Sequence, residues 1–96
     1  INRIVVGHHT NIQDNAGVHV SDGYSCTVGN RVTAGHSAIV RACKVGNEVP
    51  VGMGAVILDG AIIGEQSLIG AKALVKQGMK PPARLCSARR RELSAR

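Results

Sequence analysis

The chain has no tryptophan, no phenylalanine and a single tyrosine, Tyr24, among its 96 residues. Globular cores ordinarily use aromatic rings as their large fillers, so a wide, ring-packed interior is excluded. The 44% hydrophobic content is almost all Val, Ile, Ala and Leu. That is enough apolar surface to fold rather than stay disordered, and it suits a narrow interior filled by small branched side chains. Cysteine is sparse too. Cys26, Cys43 and Cys86 are odd in number and none belongs to a CxxC pair, which argues against a disulfide framework and a cysteine-type zinc site. A reducing, cytoplasmic setting is expected. No apolar run reaches transmembrane length and no signal-peptide pattern is present, so no membrane partner is expected.

Positive charge is not scarce, but it is unevenly placed. Of the formal +6, residues 1 to 79 carry only +1, from six Lys/Arg against five Asp/Glu, and residues 80 to 96 carry the other +5. With no aromatics to stack on bases and no basic stripe through the body of the chain, no nucleic-acid partner is expected.

What the sequence does contain is a period of six. An apolar residue recurs at Val45, Val51, Ile57, Ile63, Ile69 and Val75, and earlier at Val6, Ile12 and Val18 and at Val28, Ala34 and Val40. Glycine follows at Gly7, Gly29, Gly35, Gly46, Gly52, Gly64 and Gly70. Four residues into most hexads stands a small or β-branched residue: Thr10, Ala16, Val32, Ala38, Val49, Ala55, Ala61, Ser67 or Ala73. Two third hexads depart, with Asp22 after Val18 and Lys44 after Val40.

Six is a multiple of the strand period and not of the helical one. The pattern therefore predicts short strands joined by turns, with glycine supplying permissive backbone at the corners. Three hexads close one triangular coil, and coils stack at the ordinary strand spacing of roughly 4.8 Å. Four coils are expected over residues 1–79. The step from Val40 to Val45 is five, so the second coil is one residue short, and residues 20–27 are expected to bulge as a loop. After Gly78 the sequence MKPP ends the ladder, because proline cannot donate to it. Residues 80–96 are expected to form a basic C-terminal α-helix, with Leu85 and Ala88 on its apolar stripe.

Position in the hexad fixes direction, so residues at equal positions stack. His19 and Arg41 each follow the apolar residue of a third hexad and should lie one above the other. Asp14 and His36 should stack likewise on a different face. His8 and His9 read as a surface pair.

The hexad register resembles the hexapeptide-repeat signature of the left-handed parallel β-helix, and the left hand is what that resemblance implies. Within it, NIQDN, VHV, VTAGHSAIVRAC, VGMGAVILDGAIIG and SLIGAKALV together resemble the γ-class carbonic anhydrase family, from Ile1 to about Val75. The resemblance implies a homotrimer with zinc, or another divalent metal, held between subunits by three His: two stacked on one subunit and one from its neighbour. It makes His19 the first stacked ligand and His36 the ligand reaching the neighbouring site. Gln13 and Asp14 match the family's catalytic polar residues beside the metal. The implied chemistry is reversible hydration of carbon dioxide to bicarbonate by a metal-bound hydroxide, for which three imidazoles must leave a fourth position open to water. Arg41 stands where the second stacked His is expected. A guanidinium is cationic at any accessible pH and only donates, so it cannot ligate. The expectation is a weakened or inactive metal site. The alternatives are a non-catalytic assembly scaffold and, on the repeat alone, a hexapeptide-repeat acyltransferase.

Overall fold

The computed structural model describes residues 3–81. Within that span the chain winds as a parallel β-helix of four coils. Coil one holds β1 (Ile4–Val6), β2 (Asn11–Ile12) and β3 (Gly17–His19), and coil two holds β4 (Cys26–Val28), β5 (Thr33–Ala34) and β6 (Ile39–Arg41). Coil three holds β7 (Lys44–Val45), β8 (Pro50–Val51) and β9 (Val56–Ile57). Coil four holds β10 (Ile62–Ile63) and β11 (Leu74–Val75), with Ile69 bridging to Val51 in place of a middle strand. Three parallel sheets form the walls, in the orders β1-β4-β7-β10, β2-β5-β8 and β3-β6-β9-β11. The helix expected over residues 80–96 lies almost entirely outside the described residues.

The register is the one the hexads predict. Val6, Val28, Val45 and Ile63 stack in one wall. Ile12, Ala34, Val51 and Ile69 stack in the second, and Val18, Val40, Ile57 and Val75 in the third. From coil two onward these residues are buried, together with Val32, Ala38, Val49, Ala55, Ala61, Ser67 and Ala73 from the small-residue positions. Val6 and Ile12, on the open end of coil one, keep 42% and 37% of their surface exposed. The interior is a pile of short branched side chains, which is why the sequence has no use for aromatic rings.

Both departures from the small-residue rule disappear in space. Thr27 N–H donates to Cys43 O, and Lys44 N–H to Ala61 O, so Cys26, Cys43 and Ala61 share one inward column. Cys26 and Cys43 are therefore the small residues of the two irregular hexads, displaced by the loop in coil one and by the missing residue in coil two. This corrects the expected loop. Cys26 and Thr27 belong to β4, and the excursion ends at Ser25. A buried, core-facing Cys26 is needed to fill the column, so the chain must rejoin the wall there.

The role expected for the glycines also changes. Left-handed backbone falls two residues further on, at His9, Asn15, Arg31, Ser37, Glu48, Gln66 and Lys72, with φ between 55° and 62°, and at Gly54, Gly60 and Gly78. The glycines after the inward residue are instead places where one coil touches the next. A Cβ on Gly52 would stand 2.5 Å from Ala71 N, and one on Gly35 2.8 Å from Met53 N. Gly64, in the last coil, would meet nothing nearer than Ser67 Oγ at 3.8 Å.

One corner shows how the turns hold register with polar groups. His8 N–H donates to Asn30 Oδ1 at 2.7 Å and Asn30 N–H to Asn47 Oδ1 at 2.8 Å. Beside this ladder Gln66 Nε2 donates to Glu48 Oε1 at 2.9 Å and Arg31 Nε lies 3.3 Å from Glu48 Oε2. These two partners, Gln66 foremost, hold the Glu48 carboxyl below the usual carboxylate range.

The glycine contacts give a paired test. Gly52→Ala forces backbone against backbone and should cost about 1–3 kcal/mol in chemical denaturation. Gly64→Ala should stay within about 0.5 kcal/mol of the parent, as open surface changes do. Equal costs would contradict the inter-coil contact.

Candidate functional site

β3 and β6 pair in register, Val18 on Val40 and His19 on Arg41. Because Val18 and Val40 point inward, His19 and Arg41 point out of the third wall, one coil apart. Both are exposed. Gly17 seats the histidine: a Cβ there would stand 2.5 Å from His19 Nε2, so the imidazole leans across the strand over a residue without a side chain. That residue went unnoticed in the sequence, although Gly two before a wall-facing His was a readable sign of close approach.

Arg41 does not reach freely into solvent. Its Nε lies 3.0 Å from Asp59 Oδ1 in the coil above, with the arginine side chain 52% exposed and the aspartate 17%. The contact is off the line of a hydrogen bond, and among the described residues the buried Oδ1 has no aligned donor. The pair is therefore a charge contact at short range rather than a directed bond. Its origin is the short corner. Coil three runs Ile57-Leu58-Asp59-Gly60-Ala61, whereas coil two runs Val40-Arg41-Ala42-Cys43. Coil two lacks a residue at the level of Asp59, and Ala42, at φ 48°, meets Gly60 directly through Gly60 N–H to Ala42 O. The Asp59 carboxylate has no residue below it in its own column, and Arg41 occupies the gap.

The loop of residues 20–25 closes over this corner. It turns on Ser21 N–H to Tyr24 O and is anchored by Arg3 N–H to Ser25 Oγ at 3.0 Å. The Tyr24 ring rests on Gly60, where a Cβ would stand 3.1 Å from Cζ. Loop, Arg41 and Asp59 together line a cavity of about 450 Å³.

The other candidates lie on a different corner. Gln13 N–H donates to Ala34 O and Ser37 N–H to Asp14 O. Asp14 therefore lies one coil from His36, as the hexads predict. Asn15 Nδ2 donates to Ser37 Oγ at 3.1 Å alongside. The exposed Met53 follows His36 in the same column, since Gly54 N–H donates to His36 O. Gln13 is half-buried, while Asp14 and His36 are exposed.

Geometry decides what these residues can do together. His36 stands at the corner before β6, and the His19–Arg41 pair ends that strand five positions further on. Among the described residues no group of three or more His, Cys, Asp or Glu comes together in a way that could hold a metal. The single chain thus offers one imidazole at each of two separate places, and at the first of them a paired cation.

No protein-family model matches the chain. It is 39% identical over 89 residues to gamma carbonic anhydrase 1, mitochondrial, of Arabidopsis thaliana, covering 86% of this chain and 32% of the relative. It is 39% identical over 78 residues to the carnitine operon protein CaiE of Escherichia coli, covering 81% of this chain and 40% of that protein. The crystal structure of a hexapeptide transferase family protein from Anaplasma phagocytophilum superposes with a TM-score of 0.71 at 44% identity, over 76% of this chain and 42% of that one. The chain thus spans 32% and 40% of the length of these two curated relatives.

The Arg41–Asp59 contact predicts an asymmetric mutant cycle. Arg41→Ala leaves a buried carboxylate oxygen without its nearby cation and should cost about 1 kcal/mol or less. Asp59→Asn removes the charge that needs neutralising and should cost less. The double variant should fall below the sum of the two in denaturant titrations; additive losses would mean the pair is incidental.

Proposed function

The chain belongs to the γ-carbonic-anhydrase-like hexapeptide-repeat family, and from that premise we propose that it is a trimeric scaffold whose inter-subunit metal centre has lost one of three imidazole ligands to Arg41. The observation that carries this reading is the register of β3 and β6, which stacks Arg41 on His19, joined to the 3.0 Å approach of Arg41 to Asp59. Arg41 thus has a charge partner of its own in the next coil, the Asp59 carboxylate.

The residues present do not fit a zinc centre. A catalytic zinc site takes three protein ligands and an open fourth position. Here His19 and a neighbour's His36 would supply two, and the third position holds a permanent cation that repels a dication. Asp59 is a carboxylate beside that position, but it is already engaged by Arg41. The separation of His19 from His36 along β6 favours a threefold arrangement in which each boundary draws on two copies. Gln13 and Asp14 would then flank the boundary on the His36 side, where their polar groups would orient water. The functional reading is an assembly scaffold derived from an enzyme of carbon dioxide hydration, with little or no turnover of its own. Acyl transfer has no residue of its own to recommend it here beyond the shared repeat.

The test is zinc content, oligomeric state and carbon dioxide hydration of three proteins. The parent should run as a trimer in light scattering, hold far less than one zinc per chain and hydrate slowly if at all. Arg41→His should raise zinc content by restoring an imaginable third imidazole, and His36→Ala in that background should lower it again. Stoichiometric zinc in the parent, lost in His36→Ala alone, would show that another group completes the centre.

A further inference from the structure

Cys26 and Cys43 are separated by seventeen positions in sequence and by one strand spacing in the fold. Their strands run parallel and in register, Thr27 on Lys44 and Val28 on Val45. Both thiols are free and buried, with Cys26 0% and Cys43 3% exposed. Cys26 Sγ also lies 3.7 Å from Val40 O as a donor to that carbonyl. In-register neighbours in a sheet stand about 4.8 Å apart, inside the Cα separation of roughly 4.4–6.8 Å that a disulfide spans. The other small-residue positions hold Ala, Val, Ser or Thr, and the two stacked cysteines occur where the coil is irregular.

We propose that Cys26 and Cys43 form a site of reversible oxidative modification, in which a small peroxide converts the stacked thiols to an inter-coil disulfide. A cavity of about 420 Å³ between Tyr24, Ser25 and the first sheet, lined also by Ala42, Cys43 and Gly60, brings a small oxidant up to the wall behind which the two thiols lie. The Cys26 sulfur attacks one peroxide oxygen, the O–O bond breaks, and the first water leaves with the Cys26 proton. The Cys43 sulfur then displaces the hydroxyl of the resulting sulfenic acid, and the second water carries away the Cys43 proton. Two thiols lose two electrons to one peroxide. The hydrogen bond that Cys43 shares with Cys26 lowers the Cys26 thiol and, with burial, raises that of Cys43, which suits Cys26 to the attack. The bond would tie the start of coil two to the start of coil three, two residues beyond Arg41.

The test uses the full chain carrying Cys86→Ser, so that only the two stacked thiols remain. Hydrogen peroxide should remove both free thiols, lower the mass by two hydrogens, leave the polypeptide at monomer size on a denaturing non-reducing gel, and give a linked peptide containing Cys26 and Cys43. Dithiothreitol should reverse all four. Cys26→Ala and Cys43→Ala in the same background should fold like the parent, because Ala38, Ala55 and Ala61 fill the equivalent positions, and should yield no linked peptide. Two thiols that survive treatment sufficient to oxidise the urea-unfolded chain would overturn the proposal. So would sulfinic acids, or inter-chain dimers in place of the internal link.

Discussion

Vertical alignment of one inward residue per wall per coil is the constraint on which the rest of the molecule depends. A parallel β-helix has no second layer to pack against; each coil is covered only by its neighbours. The columns headed by Val28, Ala34 and Val40 continue without a slip to Ile63, Ile69 and Val75. A one-residue slip in a strand would turn a buried valine to solvent and an outward polar residue to the core. Alignment also fixes the outward columns, because the residue after an inward one must point out. The pairing of His19 with Arg41 therefore follows from the pairing of Val18 with Val40.

Irregularity in such a ladder has to be absorbed at a corner, and here it is absorbed at the third. Coil two lacks one residue between Val40 and Val45, and the chain recovers by placing Ala42 in left-handed backbone at φ 48° and Cys43 in the inward column. Coil one has the opposite problem, extra residues after His19, and recovers by sending 20–25 outward and returning at Cys26. The excess of one coil lies over the deficit of the next, with Tyr24 against Gly60 above the gap. Asp59 is exposed to Arg41 only because the deficit exists. The shortened corner thus gives Arg41, stacked on His19, a carboxylate in the next coil to lie against.

Much of this was legible in the sequence, and the failures are instructive. The hexads gave the walls, the inward columns and the two stacked pairs, because a period of six admits few other arrangements. The end of the loop was misplaced by two residues, since counting from Val18 put Asp22 where the small residue belonged, and nothing local marked Cys26 as its substitute. Glycine at Gly35 and Gly52 looked like turn chemistry, but the need comes from the next coil, at a separation that a linear reading does not weigh. The Arg41–Asp59 contact was invisible for the same reason: the partners are eighteen positions apart, and only the shortened corner brings them within reach. The family resemblance supplied the roles of His19, His36, Gln13 and Asp14, and the fold brings them to two separate corners of one copy without uniting them.

We propose that Arg41, held against Asp59, stands where the γ-carbonic-anhydrase family places a metal-binding imidazole. That placement is tested most directly by following the side-chain nitrogen resonances of Arg41, His19 and His36 in labelled protein as zinc is added. The account predicts an Arg41 Nε resonance displaced from its solvent-exposed value before any zinc is present and unchanged during the titration, with both imidazoles moving only at large excess and in fast exchange. Saturation of His19 and His36 at one equivalent, accompanied by release of Arg41 from Asp59, would contradict it.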